Sequence, residues 1–317
     1  MTSFESRPYA GGTDLNLLLD FARNATSART PGPSPWHVGD VIWQIFGSTG
    51  FDPVANIRLW VDGRGIAGIA WFEPPINVVF DVRPGLREHD ALTEEILAWA
   101  EQRRSEVASP GAGGIPRAYA MLGEESLATT AFDSDLARIA VLTRNGYTKT
   151  DRHNVHYSRS LATRIPDSQL PAGMKLSHAT DATLEERVDL HRDAWSVWGP
   201  SSFNVETYRR LRAAPIYEPE LDVVLEGPDG KLLSYCICWE DTANGVGNFE
   251  PVGTRPAFTS RGLARATIFE GLRRLRERGM HTALVGTAGV NERALVLYPS
   301  CGFELIDRSH YWVKPVS

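Results

Sequence analysis

Apolar positions along this chain follow two spacings, and the same order of the two appears in each half. Short runs rich in branched apolar residues, bounded by Gly, Pro and Asp, read as strands; stretches with apolar residues three and four apart read as helices. In the first half, Ile57 to Val61, a turn at Asp62-Gly63-Arg64-Gly65 and Ile66 to Phe72 predict a β-hairpin. Asn77 to Val82 predicts a further strand, stopped by Arg83-Pro84. Leu92, Ile96, Leu97, Trp99 and Ala100 give one buried stripe to a helix over about 91–104. The half closes with Asp135 to Tyr147 and a strand-like Asn154 to Ser158.

The second half repeats these parts. Helices are expected over about 184–195 and 205–214. A hairpin follows from Val223 to Leu225, a turn at Gly227 to Gly230, and Leu232 to Trp239. Phe249 to Thr254 is a strand broken at Arg255-Pro256, and a helix runs from about Leu263 to Arg278, ended by Gly279. His281 to Gly286 and Glu304 to Val313 are the last strands, with Ala294, Leu297 and Tyr298 on one face of a short helix between them. Residues 161–173 contain two prolines, are polar and show no period, as expected of a linker. Two domains are therefore predicted, 1–160 and 174–317, joined by 161–173. At 317 residues the chain is long enough for each to bury a core.

Composition narrows the function more by exclusion than by assignment. The chain is 42% hydrophobic and 23% charged, with a formal net charge of −6, which argues against a basic nucleic-acid footprint and favours cationic or neutral small-molecule partners. No apolar run is long enough to span a bilayer, and the first residues lack the pattern of a signal peptide, so a cytoplasmic protein without membrane contact is expected. Three cysteines form no disulfide framework, and Cys236 and Cys238, two apart on a strand, are expected to be reduced core residues facing one side. No metal set is apparent.

The segment Glu250 to Ala266 has the most chemistry. A strand, a small-residue loop and a helix start meet there, and the free N–H groups of a first helical turn attract anions. Thr259, Ser260, Arg261, Gly262, Leu263 and Ala264 form the loop, with Arg261 and Arg265 supplying positive charge. Further on, Asn291, Ala294, Tyr298, Gly302 and Phe303 stand in the pattern Asn-x-x-Ala-x-x-x-Tyr-x-x-x-Gly-Phe. Together these two motifs resemble the acetyl-CoA-binding and closing motifs of the GCN5-related N-acetyltransferases (GNAT), departing from them at Thr259, where Gln or Arg is usual.

That resemblance implies an α/β architecture of two tandem GNAT-type domains, each a mixed, mostly antiparallel twisted sheet flanked by helices. It implies acetyl-CoA as co-substrate and a small-molecule amine as acceptor, in a monomer or homodimer. Val252 and Thr254 would offer backbone groups to the thioester, the loop 259–264 would hold the pyrophosphate, and Asn291 and Ala294 would border the pantetheine arm. The Tyr298 hydroxyl would face the sulfur as the acid for the leaving thiolate. Glu250, beside the ladder break at Pro251, is the expected base, with Glu240 and Asp241 as alternatives; Asn248 stands where many relatives carry glutamate. Trp195, Trp198 and Phe203 are expected to wall the acceptor pocket, and Glu218, Glu220 and Asp222 to lie on an acidic turn. His310 reads as a strand residue.

The first copy lacks this chemistry. Counting from Pro84 as from Pro256, Asp90 falls at the position of Gly262, preceded by Arg87, Glu88 and His89; Leu142 falls at the position of Tyr298. The first domain is thus expected to be structural and substrate-shaping, without an acetyl-CoA site, and its loop 108–116 flexible. Two other readings remain: a non-catalytic acyl-CoA-binding or sensor protein, and an acyltransferase similar to mycothiol synthase.

Overall fold

The strand and helix patterns form the elements they predict, but the chain does not divide where the linker signal placed the cut. The structure is a computed structural model that describes residues 4–29, 34, 36–86, 90–107, 122–123, 125–168 and 170–316. The expected loop 108–116 and the triplet 87–89 lie outside the described residues.

In chain order the first elements are β1 (Glu5–Pro8), α1 (Thr13–Arg29), α2 (Val38–Ile42) and α3 (Pro53–Asn56). Next come β2 (Ile57–Asp62), β3 (Gly65–Glu73), β4 (Asn77–Val82), α4 (Asp90–Glu106), β5 (Ser126–Phe132), α5 (Leu136–Arg144) and β6 (Thr148–Ser160). The rest comprises β7 (Lys175–His178), α6 (Leu184–Trp195), α7 (Val205–Arg212), β8 (Asp222–Glu226), β9 (Leu232–Asp241) and β10 (Val246–Thr254). It ends with α8 (Leu263–Glu277), β11 (Thr282–Ala288), α9 (Glu292–Ser300) and β12 (Glu304–Pro315).

One compact unit contains residues 1–36, 51–155 and 307–317; the other contains 37–50 and 156–306. The expected division at 160/174 is corrected on three counts. Residues 37–50 fold with the second unit because α2 buries Val38, Val41 and Ile42 there, and His37 bonds the Val246 carbonyl through Nε2 at 3.3 Å. Trp43, just after α2, stacks on Phe203 at 5.8 Å, and Arg210 donates to the Phe46 and Ser48 carbonyls at 3.0 and 2.9 Å. Residues 307–317 belong to the first unit because β12 pairs antiparallel with β5 from Ser309↔Phe132 to Pro315↔Ser126, burying Trp312 in that core. Third, part of the expected linker packs on the second unit: Leu161 N–H bonds the His281 carbonyl at 2.9 Å, and Leu170 packs against the cluster containing Leu225, Leu263 and Ala266.

In the first unit the strand order is β1-β2-β3-β4-β5-β12, antiparallel except for β4 beside β5. α4 buries Leu92, Ile96, Leu97 and Ala100 against the sheet, as its stripe predicts, with Trp99 half-buried. Leu142, fully buried, belongs to the same core. In the second unit the order is β11-β10-β9-β8-β7, with β10 and β11 parallel and the other pairs antiparallel. α8 covers this sheet through Leu263, Ile268, Phe269, Leu272 and Leu275, and its last turn carries Arg274 and Arg276, whose charges complement the helix dipole.

A fully buried ion pair fixes the helical side of the second unit. Arg187 Nε on α6 meets Asp222 Oδ1 on β8 at 2.9 Å, with side-chain exposures of 1% and 0%. The other carboxylate oxygen accepts from Tyr208 and Tyr217 hydroxyls at 2.7 and 3.0 Å, and the guanidinium lies 3.5 Å from the Tyr235 ring centroid. Removing one charge leaves the other buried and uncompensated. Asp222→Asn should therefore destabilise the protein by about 3–5 kcal/mol, read as a lower denaturant midpoint; an unchanged midpoint would contradict this role.

Candidate functional site

The site begins where two parallel strands part. β10 and β11 stay paired from Val246↔Thr282 to Phe249↔Val285 and no further, while β10 continues against β9 with an irregularity between Phe249 and Val252. Glu250 and Pro251 occupy that irregularity, and Pro251 has no N–H to give a ladder. Beyond it, Val252, Gly253 and Thr254 pair with β9 on one side only, so their other edge is open. Gly253 is required there: a Cβ would lie 2.5 Å from the Tyr235 ring and 2.9 Å from Ala194.

The loop after β10 is held at its base by Arg255. This buried cation, 5% exposed, donates to the Leu232 carbonyl at 2.7 Å and pairs with Glu186 at 2.8 Å and with Asp193. Its backbone N–H bonds the Leu233 carbonyl, as Arg83 N–H bonds the Ala67 carbonyl in the first unit, so the two breaks at Arg-Pro are structural counterparts. In the first unit Arg83 instead pairs with Asp62 at 2.6 Å, and that hydrogen bond holds the carboxyl down at about 2. At the end of the second loop Gly262 takes φ +79°, a left-handed conformation that a β-carbon disfavours. It caps α8 without any side-chain hydrogen bond, leaving the first-turn N–H groups without a cap. Arg261 lies over the Phe258 ring, 5.1 Å from its centroid.

α9 supplies the third wall. Asn291 caps it, accepting from Ala294 N–H at 3.4 Å and donating to Thr287 at 3.1 Å. Tyr298, on the buried face of α9 as predicted, has Tyr157 and Phe303 edge-on at 5.9 and 6.1 Å. Burial, with the Glu250 charge next in weight, pushes its hydroxyl pKa well up.

These parts enclose one cavity of about 720 Å³. It is lined by Val252, Thr254, Thr259, Ser260, Gly262, Leu263, Ala264, Asn291, Ala294 and Tyr298, and by Trp195 and Trp198 on the helical side. Arg265 and Leu297 also line it, as do Val197, Phe258 and Val296, which were not singled out by the sequence; of these, Val197 and Val296 make an exposed apolar rim. Arg261 instead lines an adjoining cavity of about 400 Å³ that shares Gly262, Leu263 and Arg265. Phe203 is not on either wall. It is 4% exposed, packed on Trp43 and, at 4.3 Å, on His191, so its expected place in an acceptor wall is corrected to a core position.

Behind Trp195 the wall is polar. Trp195 Nε1 donates to the Tyr235 hydroxyl at 3.0 Å, and that hydroxyl bonds His191 Nδ1 at 2.7 Å. Burial, aided by Arg187, takes the His191 pKa down to about 3, so its ring is neutral.

Glu250 stands apart from its alternatives. Glu240 pairs with Arg278 at 2.8 Å, and Asp241, 1% exposed, accepts from Asn244 at 2.6 Å. Glu218 and Glu220 also face Arg278, at 3.1 and 3.7 Å, and Asp222 is spent on Arg187 rather than lying on an acidic turn. His310 belongs to the first unit, where its Nδ1 meets Asp133 at 2.8 Å. Glu250 has no such partner among the described residues. Burial and the nearby Asp40 carboxylate push its pKa up to about 8. Asp40 was not singled out by the sequence. Cys236 and Cys238 are buried and reduced, 3.9 Å apart.

Residues 185–303 match the model of the acetyltransferase (GNAT) family. A mycothiol acetyltransferase from Saccharomonospora viridis is 26% identical over 45% of this chain and 49% of its own length; in that alignment the chain spans about half of the relative. A mycothiol acetyltransferase from Kineococcus radiotolerans is 25% identical over 88% of this chain and 94% of that one. Among solved structures, a tandem GNAT protein from the clavulanic acid biosynthesis pathway superposes over 99% of both chains with a TM-score of 0.66 at 18% identity, a likeness of fold.

Proposed function

Because the chain belongs to the tandem GNAT superfamily, we propose that its second unit moves an acetyl group from acetyl-CoA to the primary amine of a small molecule by direct transfer. One observation carries this reading: a single cavity collects the open end of β10, the uncapped start of α8, and Asn291 and Tyr298 of α9. The uncapped N–H groups of α8, with Arg261 and Arg265, suit a pyrophosphate. The open edge at 252–254 suits the thioester carbonyl, whose developing charge those N–H groups would stabilise. Asn291 and Ala294 border the arm between them. Trp195 and Trp198 offer aromatic faces to a cationic acceptor.

Glu250 accepts a proton from the acceptor, and the freed nitrogen attacks the carbonyl carbon. The C–S bond breaks, and Tyr298 gives its proton to the thiolate. Proton uptake by Glu250 removes the negative charge that helps hold the Tyr298 proton in place, so the two events assist each other. Net, the amine, formally an ammonium, yields an amide, free CoA and one proton. The first unit, with Asp90 and Leu142 at the corresponding positions, is read as structural and without an acetyl-CoA site. The name of the relatives makes the deacetylated form of mycothiol the first amine to include in an acceptor panel.

Free-thiol release over a panel of amines tests the reaction, and a panel without turnover in the presence of tightly bound acetyl-CoA would turn the reading to a binding protein. Gly262→Asp, which places a carboxylate at the anion site, should weaken CoA binding about a hundredfold by calorimetry. Tyr298→Phe should lower turnover about ten- to a thousandfold with little change in CoA affinity. An acid raised on folding is protonated below its shifted value, so Glu250 is a base only above about 8. The rate should rise with pH through that region, and Glu250→Gln should abolish the rise; a flat profile in the unaltered protein speaks against Glu250.

A further inference from the structure

Each unit parts a pair of parallel strands, and only one of them leaves the gap open. In the second unit the last pair of β10 with β11 is Phe249↔Val285; in the first, β4 meets β5 at Asn77↔Ala128. Asn77 stands before Arg83-Pro84 by the same count as Phe249 before Arg255-Pro256, so the two pairs are counterparts. By that count Phe80 corresponds to Val252, which lines the cavity of about 720 Å³. The helices that follow match as well. Asp135 caps α5 by accepting from Arg138 N–H at 3.1 Å, as Asn291 caps α9 by accepting from Ala294 N–H at 3.4 Å. Arg138 therefore stands where the second unit has Ala294, a small buried residue on the cavity wall.

That difference in size fills the gap. Arg138 Nε donates to the Thr130 carbonyl on β5 and Nη1 to the Phe80 carbonyl on β4, both at 2.8 Å. Both carbonyls lie beyond the last pair, so one guanidinium bridges the parted strands and satisfies groups that have left the ladder. Nη2 reaches Thr129 Oγ1 at 3.3 Å, and the guanidinium carbon lies over the Phe80 ring, 3.6 Å from its centroid. A planar fork donates in several fixed directions and stacks on an aromatic face, which an ammonium does not. Beside it only about 20 Å³ is left, room for roughly one water. We propose that Arg138 is the resident occupant of the first unit's strand gap. Its guanidinium takes the place that a ligand arm takes in the second unit, so acyl-CoA enters one unit and the other is closed by its own side chain. The comparison of the two gaps rests on the larger cavity being the acyl-CoA site. The gap itself is built for a planar cation.

Thermal unfolding of the full-length protein tests this without any CoA. Arg138→Ala should lower the unfolding midpoint by about 4–8 °C. Ethylguanidinium, the part of the side chain that this substitution removes, should restore part of the loss at about 10 mM. Ethylammonium, with the same charge and stem but no fork, should not, and neither ion should raise the midpoint of the unaltered protein. Should Arg138→Ala fail to fold, Arg138→Lys gives the second reading: it keeps the charge and the stem, and its midpoint should still fall. A midpoint that stays in place in Arg138→Lys, or rescue of Arg138→Ala by ethylammonium as good as by ethylguanidinium, overturns the proposal. Calorimetry of the unaltered protein should give one CoA per chain, and two equivalent sites would overturn it as well. The melting results involve no CoA, so they decide the role of Arg138 even where the acyl-CoA reading of the second unit fails.

Discussion

The second unit is organised around a charge that water never reaches. Arg187 and Asp222 are desolvated together, and the cost of that is met only because Tyr208, Tyr217 and the Tyr235 ring surround them with hydroxyls and an aromatic face. The result joins α6, α7, β8 and β9 at one point. From there Tyr235 passes order outward, to His191 and to the Trp195 indole on the cavity wall. Trp195 is thus not a loose aromatic lid: its N–H is committed inward, which fixes the ring face presented to the cavity.

Charge is distributed unevenly around this frame. Arg187, Arg255 and Arg278 are engaged with acids, and Glu186, Asp193, Glu218, Glu240 and Asp222 are occupied by them. Asp40, held by neutral groups, and Glu250, at the break in β10, are the exceptions, with no ion-pair partner among the described residues. Structural acids are stabilised by being paired, whereas an acid that must take a proton near neutral pH has to be left without a cation. The same strand irregularity that opens the amides of 252–254 also isolates Glu250, so polarisation of a carbonyl and tuning of a base have one structural origin.

Periodicity made most of the elements legible, since it reports which face of a helix or strand is buried. The α4 stripe, the hairpins β2–β3 and β8–β9, and the extent of α6 all follow from it. The loop and α9 were legible because turn chemistry and cap residues act within a few positions of sequence. What periodicity does not report is the partner of a buried face. Trp43 and Phe203 bury each other from distant parts of the chain, so Phe203 looked like a wall and is core. Asp40 was invisible for the same reason: its relation to Asn248 spans more than two hundred residues of chain and leaves no local pattern. The division of the chain was misread because a proline-containing polar stretch marks a change of periodicity, and here that stretch packs rather than links.

The exchange of segments between the units bears on how the chain is made. Residues 307–317 complete the sheet of the first unit, yet a ribosome produces them after every residue of the second. Until then β5 presents an unpaired edge, and the apolar surface that Trp312 covers stays open. Residues 37–50 wait in the opposite sense, synthesised early but without the strands they pack on. Completion of the first unit ahead of the second during synthesis is therefore unavailable to this chain. A ribosome stalled before β12 would leave the first unit without its closing strand.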